Sequence, residues 1–227
     1  MIKYPAKALE TMTAIIDYKA GNLTSVKLAF AALGVETVVT SDPKVIAAAD
    51  RVVFPGVGAA KSAMENLRAL GLVEPVKEAA ATKPFLGICL GMQILFDHSE
   101  EDGGVDCLGI ISGHVRRFPA VSGFKVPEIG WNGVTGNGER VTGNVSPERS
   151  EPRKRSLEGW EWGTVTKEFY FVHSYYAEVV PETVGVTEYA GVKFTAMVKK
   201  GRLWACQFHP EKSGRIGLEL LKEWLSC

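Results

Sequence analysis

Apolar residues in the first hundred positions fall into short runs separated by stretches of helical spacing. Thr13-Ala-Ile-Ile-Asp17 predicts a first strand that ends on a polar residue. Asn22 or Thr24 stands where a helix through Leu33 needs its cap, with Leu23, Val26, Leu28, Phe30 and Leu33 as apolar positions and Gly34 as its stop. Val35 to Val39 predicts a second strand, Pro43 to Ala49 a short helix, and Val52-Val53-Phe54 a third strand. A further helical pattern covers Lys61 to Leu70 and resumes to Ala81. Phe85, Leu86 and Ile88 form an apolar run the length of a buried strand, and from Leu90 to Phe96 the spacing turns helical again. Strands alternating with helices at these intervals predict a mostly parallel, doubly wound sheet.

The pattern changes after Phe96. Residues 105–135 carry glycine and short β-like runs, and 136–159 is a polar, Gly- and Pro-containing stretch that predicts a long exposed loop or insertion. Its basic triplet Arg153-Lys154-Arg155 has acidic neighbours and reads as solvated loop. Phe169 to Val179, Val184 to Tyr189, Lys193 to Val198 and Leu203 to Phe208 predict four strands in antiparallel hairpins, with Lys200-Gly201 as the last turn. Ser213 is placed to cap a final helix, Ile216 to Leu225, with Ile216, Leu220, Leu221 and Trp224 on one face. The expected organisation is an N-terminal extension (1–11) and a single domain (12–227) with its polar insertion near 136–159.

Composition narrows the function classes. Lys plus Arg and Asp plus Glu each number 26, so the formal charge is zero and gives no support for a nucleic-acid or anionic-membrane partner. Glycine or charge interrupts the apolar stretches well short of a bilayer span, and the N-terminus has no continuous apolar core of a secretory signal. The four cysteines, Cys89, Cys107, Cys206 and Cys227, form no Cys-x-x-Cys pair, and histidine is scarce, so no metal or cofactor is expected. Reduced thiols and a cytoplasmic location are the expectation.

Candidate chemistry centres on Gly87-Ile-Cys89-Leu-Gly91, the thiol version of a nucleophile elbow. A strand–turn–helix there exposes the sulfur at the carboxyl end of a strand and at a helix N-terminus, whose dipole favours thiolate. The same residues also fit a buried cysteine in an ordinary βα turn. His209 lies in Cys206-Gln-Phe-His-Pro-Glu211. Residues two apart in extended chain share a side, so Glu211 can hold one imidazole nitrogen while the other faces Cys89. Alone, His-Pro-Glu also fits a loop histidine beside a surface carboxylate. Pro55-Gly56-Val57-Gly58 follows a different strand, and its glycines let amides aim into a cleft as oxyanion donors together with the amide of Leu90. A phosphate cradle is the competing use, but this is no Walker or dinucleotide fingerprint. Gln93, four residues beyond Cys89, falls on the same helical face, as a substrate contact or a polar surface residue.

Pro-Gly-Val-Gly (55–58), Gly-Ile-Cys-Leu-Gly-Met-Gln (87–93) and Gln-Phe-His-Pro-Glu-Lys-Ser (207–213), in this order, resemble the class I (triad) glutamine amidotransferases. Ile-Asp-Tyr-Lys-Ala-Gly-Asn (16–22), Val-Pro-Glu-Ile-Gly-Trp-Asn (126–132) and Tyr-Phe-Val-His-Ser-Tyr (170–175) resemble, within that family, the glutaminase subunits of imidazole glycerol phosphate synthase, a histidine-biosynthesis enzyme. The resemblance spans about residues 12–225. It implies a flavodoxin-like α/β fold with a mostly parallel central sheet and an added antiparallel β section. It also implies that Cys89 attacks L-glutamine to form a γ-glutamyl thioester and release ammonia, that His209 shuttles protons, and that Glu211 orients it. Val57 and Leu90 match the oxyanion region, and Gly56, Gly58, Gln93, Glu101, His173, Ser174 and Tyr175 match positions that hold glutamine. Tyr18, Asn22, Trp131, Tyr170 and Lys212 match the side facing a partner.

That implied partner is a separate (β/α)8-barrel cyclase, bound as a heterodimer and fed ammonia through a channel to make imidazole glycerol phosphate and an aminoimidazole carboxamide ribotide. The glutaminase fold uses nearly all 227 residues and leaves no room for an acceptor domain. The alternatives are a stand-alone cysteine hydrolase of γ-glutamyl compounds or peptides on the same fold, and a non-catalytic binding protein, against which the intact Cys89, His209 and Glu211 argue. The sequence departs from the family at Glu128, where histidine is frequent, and in the length of 136–159.

Overall fold

The computed structural model describes residues 11–19, 21–136 and 166–227. The expected extension (1–11) and insertion (136–159) therefore fall, but for residues 11 and 136, outside the described residues.

Val, Ile and Phe runs give buried strands, and the spacing between them gives the helices. In chain order the elements are β1 (Thr13–Ile16), α1 (Leu23–Ala32), β2 (Thr37–Thr40), α2 (Pro43–Ala48), β3 (Arg51–Gly56), α3 (Ala60–Ala69), α4 (Val73–Thr82), β4 (Phe85–Cys89) and α5 (Leu90–Gln93). There follow β5 (His98–Ser99), β6 (Val105–Asp106), β7 (His114–Arg117), β8 (Glu128–Gly136), β9 (Lys167–His173), β10 (Tyr175–Ala177), β11 (Thr183–Tyr189), β12 (Val192–Lys200), β13 (Leu203–Cys206) and α6 (Gly214–Trp224).

The sheet runs β2-β1-β3-β4-β13-β12-β10-β7-β5-β6. Its first five strands are mutually parallel, the 2-1-3-4-5 order of flavodoxin-like folds, with β13 in fifth place. The chain between β4 and β13 builds the antiparallel section, in which β11 pairs with β12 and β8, and β8 pairs with β9. The mostly parallel sheet with its antiparallel addition is thus the observed architecture. β1, β4 and β13 are buried at every position, whereas β2 at the edge is not. Parallel strands covered on both faces are apolar throughout, and their side chains alternate between two cores. Ala14, Ile16, Val52 and Phe54 join one core with Ile46, Met64, Leu67 and Val76 of α2, α3 and α4. Ile15 and Val53 join the other with Val26, Phe30, Leu220, Leu221 and Trp224 of α1 and α6.

Two helix ends follow directly from glycine. Gly34 (φ 75°) and Gly71 (φ 66°) take the left-handed conformation that an L side chain resists. The following amides then bond back, Val35 to the Phe30 carbonyl and Leu72 to the Leu67 carbonyl, closing each helix. Gly71 thereby separates α3 from α4.

Four expectations are corrected. Leu28, assigned to the apolar face of α1, is 64% exposed; Ala29 packs inward beside Val26 and Phe30. The helical pattern from Leu90 to Phe96 yields only one turn, because Ile94, Leu95 and Phe96 continue as a buried turn whose apolar side chains mimic a helix face. The run from Phe169 to Val179 breaks at Ser174 into β9 and β10, which pair with different neighbours. Ser213 precedes α6 but makes no side-chain cap; its hydroxyl turns back toward the preceding loop.

Candidate active site

The carboxyl ends of β3, β4 and β13 lie side by side, which is where open parallel sheets bind ligands. β4 delivers Cys89 at φ 54°, ψ −112°, the strained apex of an elbow. Glycine permits the crowding around it. A Cβ on Gly91 would lie 1.9 Å from the Phe54 carbonyl oxygen, and one on Gly56 2.2 Å from the Tyr18 hydroxyl and 2.9 Å from the Gly91 amide nitrogen. The elbow thus seats directly on the end of β3. The helix after Cys89 is a single turn, so the macrodipole expected there is small.

β13 runs into Gln207, Phe208 and His209. The main chain of His209 is fixed on both sides: its amide donates to the Tyr170 carbonyl at 2.9 Å, and its carbonyl accepts from the Ser213 hydroxyl at 2.6 Å. The same hydroxyl accepts from the Tyr170 amide at 3.0 Å. Glu211 sits in a 3-10 turn (Pro210–Lys212) and its Oε1 lies 2.7 Å from His209 Nδ1. That turn, rather than strand alternation, brings the two side chains together. Burial disfavours the charged imidazole, but its interactions with Cys89 and Glu211 override this and push His209 up to about 10. Nε2 of His209 makes no formed hydrogen bond within the described residues.

Cys89, Val57, Gly58, Leu90, Gln93 and His209 share the wall of one cavity of about 400 Å³ with Glu101, His173, Ser174, Tyr175 and Lys212. Glu101 enters from another direction; its Oε2 accepts from the Ala60 amide at 2.6 Å, and burial raises its pKa. His173 Nδ1 lies 2.7 Å from the Tyr175 carbonyl oxygen, and its Nε2 faces Glu128 Oε2 at 3.1 Å without forming a hydrogen bond. Gly56 does not line the cavity. Its lack of a side chain serves the close approach to Tyr18 and Gly91.

Of the residues assigned to a partner face, Trp131 is 55% exposed, its ring centroid 6.2 Å from that of the half-buried Tyr170. Ile129, on the same side of β8, is 63% exposed, and Lys212 is exposed at the cavity rim. Asn22 caps α1 by accepting from the Ser25 amide at 3.4 Å. Tyr18 is fully buried and offers no surface to a partner, because its ring packs on Phe54 beneath β3. Burial holds its hydroxyl far above the usual phenol range.

Sequence reasoning missed Gln207, and it noted Glu128 only as a departure from the family, not as the neighbour of His173. Gln207, wholly buried, has its amide against Cys89, and Glu128 backs His173. A glutamine ending the all-apolar run Leu-Trp-Ala-Cys was the available signal for the first; only the strand register reveals the second. Among the described residues there is no group of three His, Cys, Asp or Glu side chains able to hold a metal ion, and no helix long and apolar enough to cross a membrane.

A thiol on a strained elbow, an imidazole oriented by a carboxylate, and a polar cavity between them can perform acyl transfer from an amide. This fold and site define a class: the chain belongs to the family described as glutamine amidotransferase class-I, whose model matches residues 14–225. Solved structures of 14–17% identity show the same fold, among them PurLQS from Thermotoga maritima (TM-score 0.65, 15% identity, 96% of this chain and 99% of that chain). Curated relatives narrow the class. The chain is 46% identical over 215 residues to the imidazole glycerol phosphate synthase subunit HisH of Dehalococcoides mccartyi, covering 94% of this chain and 96% of that one. It is 45% identical over 221 residues to the subunit of the same name from Methylococcus capsulatus, covering 93% and 94%.

Proposed function

We propose that this chain is the glutamine amidotransferase subunit of imidazole glycerol phosphate synthase, acting in histidine biosynthesis. Cys89, His209 and Glu211 hydrolyse L-glutamine, and the ammonia goes to a separate (β/α)8-barrel cyclase in the cytoplasm. The observation that carries this reading is the shared cavity: Cys89 at its elbow, and an imidazole already oriented by Glu211 at 2.7 Å.

Cys89 Sγ, as thiolate, attacks the side-chain amide carbon of glutamine, and the developing oxygen charge is met by the amides of Leu90 and Val57. His209, held protonated by Glu211 and the thiolate, gives its proton to the leaving nitrogen. The C–N bond breaks, ammonia departs, and a γ-glutamyl thioester remains. His209 then takes a proton from water as its oxygen attacks the thioester carbon. The C–S bond breaks, glutamate leaves and the thiolate is restored. Gly58, Gln93, Glu101, His173, Ser174 and Tyr175 line the cavity around the glutamine. Trp131, Ile129 and Tyr170, with Lys212 at the rim, form the partly apolar face on which the cyclase docks, and the products of the complex are imidazole glycerol phosphate and an aminoimidazole carboxamide ribotide.

Glutamine hydrolysis by the purified chain, with and without a cyclase subunit and its nucleotide ligand, tests both halves. The cyclase is expected to raise the rate by roughly 5–150-fold, the range of ordinary coupling between sites. A full rate unaffected by any cyclase points instead to a stand-alone hydrolase. Cys89→Ala is expected to abolish the glutamine-dependent synthesis and to spare synthesis from added ammonia.

A further inference from the structure

The mechanism above leaves Gln207 without a task, although it is wholly buried beside the nucleophile. Its amide orientation is fixed by a chain of bonds that begins at a backbone carbonyl. The Tyr175 carbonyl can only accept, so the Gln93 group 2.7 Å from it is the NH2. That same Gln93 nitrogen lies 2.9 Å from Gln207, so the Gln207 atom facing it is the acceptor oxygen. The NH2 of Gln207 is thereby left facing Cys89 Sγ, 3.7 Å away. Tyr175 and Gln93 thus settle which end of the Gln207 amide is the nitrogen.

A donor held at a sulfur distinguishes its two protonation states. A thiolate accepts from the Gln207 N–H; a thiol has its own hydrogen to place, for which the Val172 carbonyl lies at 3.9 Å and the imidazole of His209 is the other neighbour. The one-turn α5 supplies only a small dipole, so the neutral amide takes over part of that task without adding charge to the cavity.

We propose that Gln207 is a further catalytic residue: its side-chain N–H donates to the Cys89 sulfur and stabilises the thiolate, locked in that orientation by Gln93 and the Tyr175 carbonyl. The proposal rests on Cys89 being the nucleophile. It also assigns Gln93 a second duty, since both of its amide hydrogens are spent on Tyr175 and Gln207 and the substrate meets its oxygen.

The test is the pH dependence of Cys89 alkylation by iodoacetamide in the purified full chain, followed by peptide mass mapping so that Cys107, Cys206 and Cys227 do not contribute. Gln207→Met keeps the length and removes the donor; Gln207→Glu keeps an acceptor for Gln93 and turns a carboxylate oxygen toward the sulfur. Both are expected to move the alkylation midpoint upward, Met by about half to one pH unit and Glu by more. Both are expected to lower kcat by about tenfold or more, with a smaller change in KM. An unmoved midpoint in correctly folded variants overturns the proposal, and so does a change confined to KM. Should neither variant fold, the wild-type chain still decides: the Gln207 side-chain amide resonances are expected to shift as Cys89 ionises and to stay still in Cys89→Ala, and their failure to shift overturns the assignment. Failure of the nucleophile reading looks different, with Cys89→Ala retaining glutamine hydrolysis.

Discussion

Glu128 and His173 stand opposite one another in the β8–β9 register, and their buried side chains meet with Oε2 and Nε2 3.1 Å apart. The other carboxylate oxygen accepts from Asn132 Nδ2 at 2.8 Å, and the other ring nitrogen reaches the Tyr175 carbonyl at 2.7 Å. Position 128, where the sequence departs from its family, is therefore tied to the cavity wall through one side chain. Glu128→Ala leaves one ring nitrogen of a buried imidazole facing no polar group and is expected to cost about 1–3 kcal/mol in urea unfolding. It is also expected to raise KM for glutamine more than it lowers kcat, because the wall moves while Cys89 and His209 stay in place. A normal KM in a folded Glu128→Ala protein would show that the wall does not depend on this pair.

The partners of His209, Cys89 first and Glu211 second, make stability depend on pH in a definite direction. The folded pKa of His209, about 10, lies above the unfolded 6.5. Between those values folded His209 holds a proton that the unfolded imidazole has lost, which makes stability fall with rising pH by about 1.4 kcal/mol per unit at most; a Cys89 that is thiolate only in the fold offsets this below the free thiol value of about 8.5, so the fall is steepest above it. The contribution is complete below pH 6.5. Glu211→Gln removes one of the two groups holding the proton, so its unfolding free energy is expected to decline less steeply than that of the wild-type chain between pH 6.5 and 10. In the same variant kcat is expected to fall by about 10³-fold or more, as when the orienting member of a triad is lost. Parallel stability profiles for the two proteins would refute the pairing.

The parallel half of the fold was legible because each strand there is a short apolar run and two of its helices, α1 and α3, end on a readable glycine. Gly34 and Gly71 need no tertiary information to stop a helix. The antiparallel half was less so. Ser174 breaks what reads as one strand, because the two halves pair with β8 and with β7, and pairing partners are not written in local periodicity. Around the site, the elbow, His209 and the residues of the Gly-rich turn stood in motifs. Gln207 stood within one of them, but its contact with Cys89 arises from two parallel strands lying side by side. Tyr18 and Gly56 carry the opposite lesson. Both sit in motifs assigned to binding, yet Tyr18 packs into the core on Phe54, and the missing side chain of Gly56 leaves room for the Tyr18 hydroxyl and for the elbow.

That close fit predicts a double-mutant outcome. Tyr18 has a buried hydroxyl with no hydrogen-bond partner among the described residues, so Tyr18→Phe is expected to be within about 1 kcal/mol of wild type in unfolding, on either side. Gly56→Ala drives a methyl group against that hydroxyl and is expected to cost about 1–3 kcal/mol. Combining them removes the closest clash but not the one with the Gly91 nitrogen, so the pair is expected to recover part of the loss. Strict additivity of the two substitutions would mean that the Tyr18 hydroxyl is not what Gly56 accommodates.

Ser213 offers the sharpest separation of chemistry from binding. Its hydroxyl donates to the His209 carbonyl at 2.6 Å and accepts from the Tyr170 amide at 3.0 Å, so it joins the loop bearing the imidazole to β9. It does not line the cavity. Ser213→Ala leaves the direct bond from the His209 amide to the Tyr170 carbonyl but frees the other side of the loop, where Glu211 follows two residues on. A small misplacement of a proton-transfer group costs rate steeply, whereas the glutamine contacts lie elsewhere. Ser213→Ala is therefore expected to lower kcat by about 10–100-fold with KM for glutamine nearly unchanged, and Ser213→Thr, which keeps the hydroxyl, to recover much of the rate. Steady-state kinetics of the two variants decide it: loss of rate in Ala without recovery in Thr would mean that the site needs the small side chain, and an equal rise in KM would place Ser213 in binding rather than in the aim of His209.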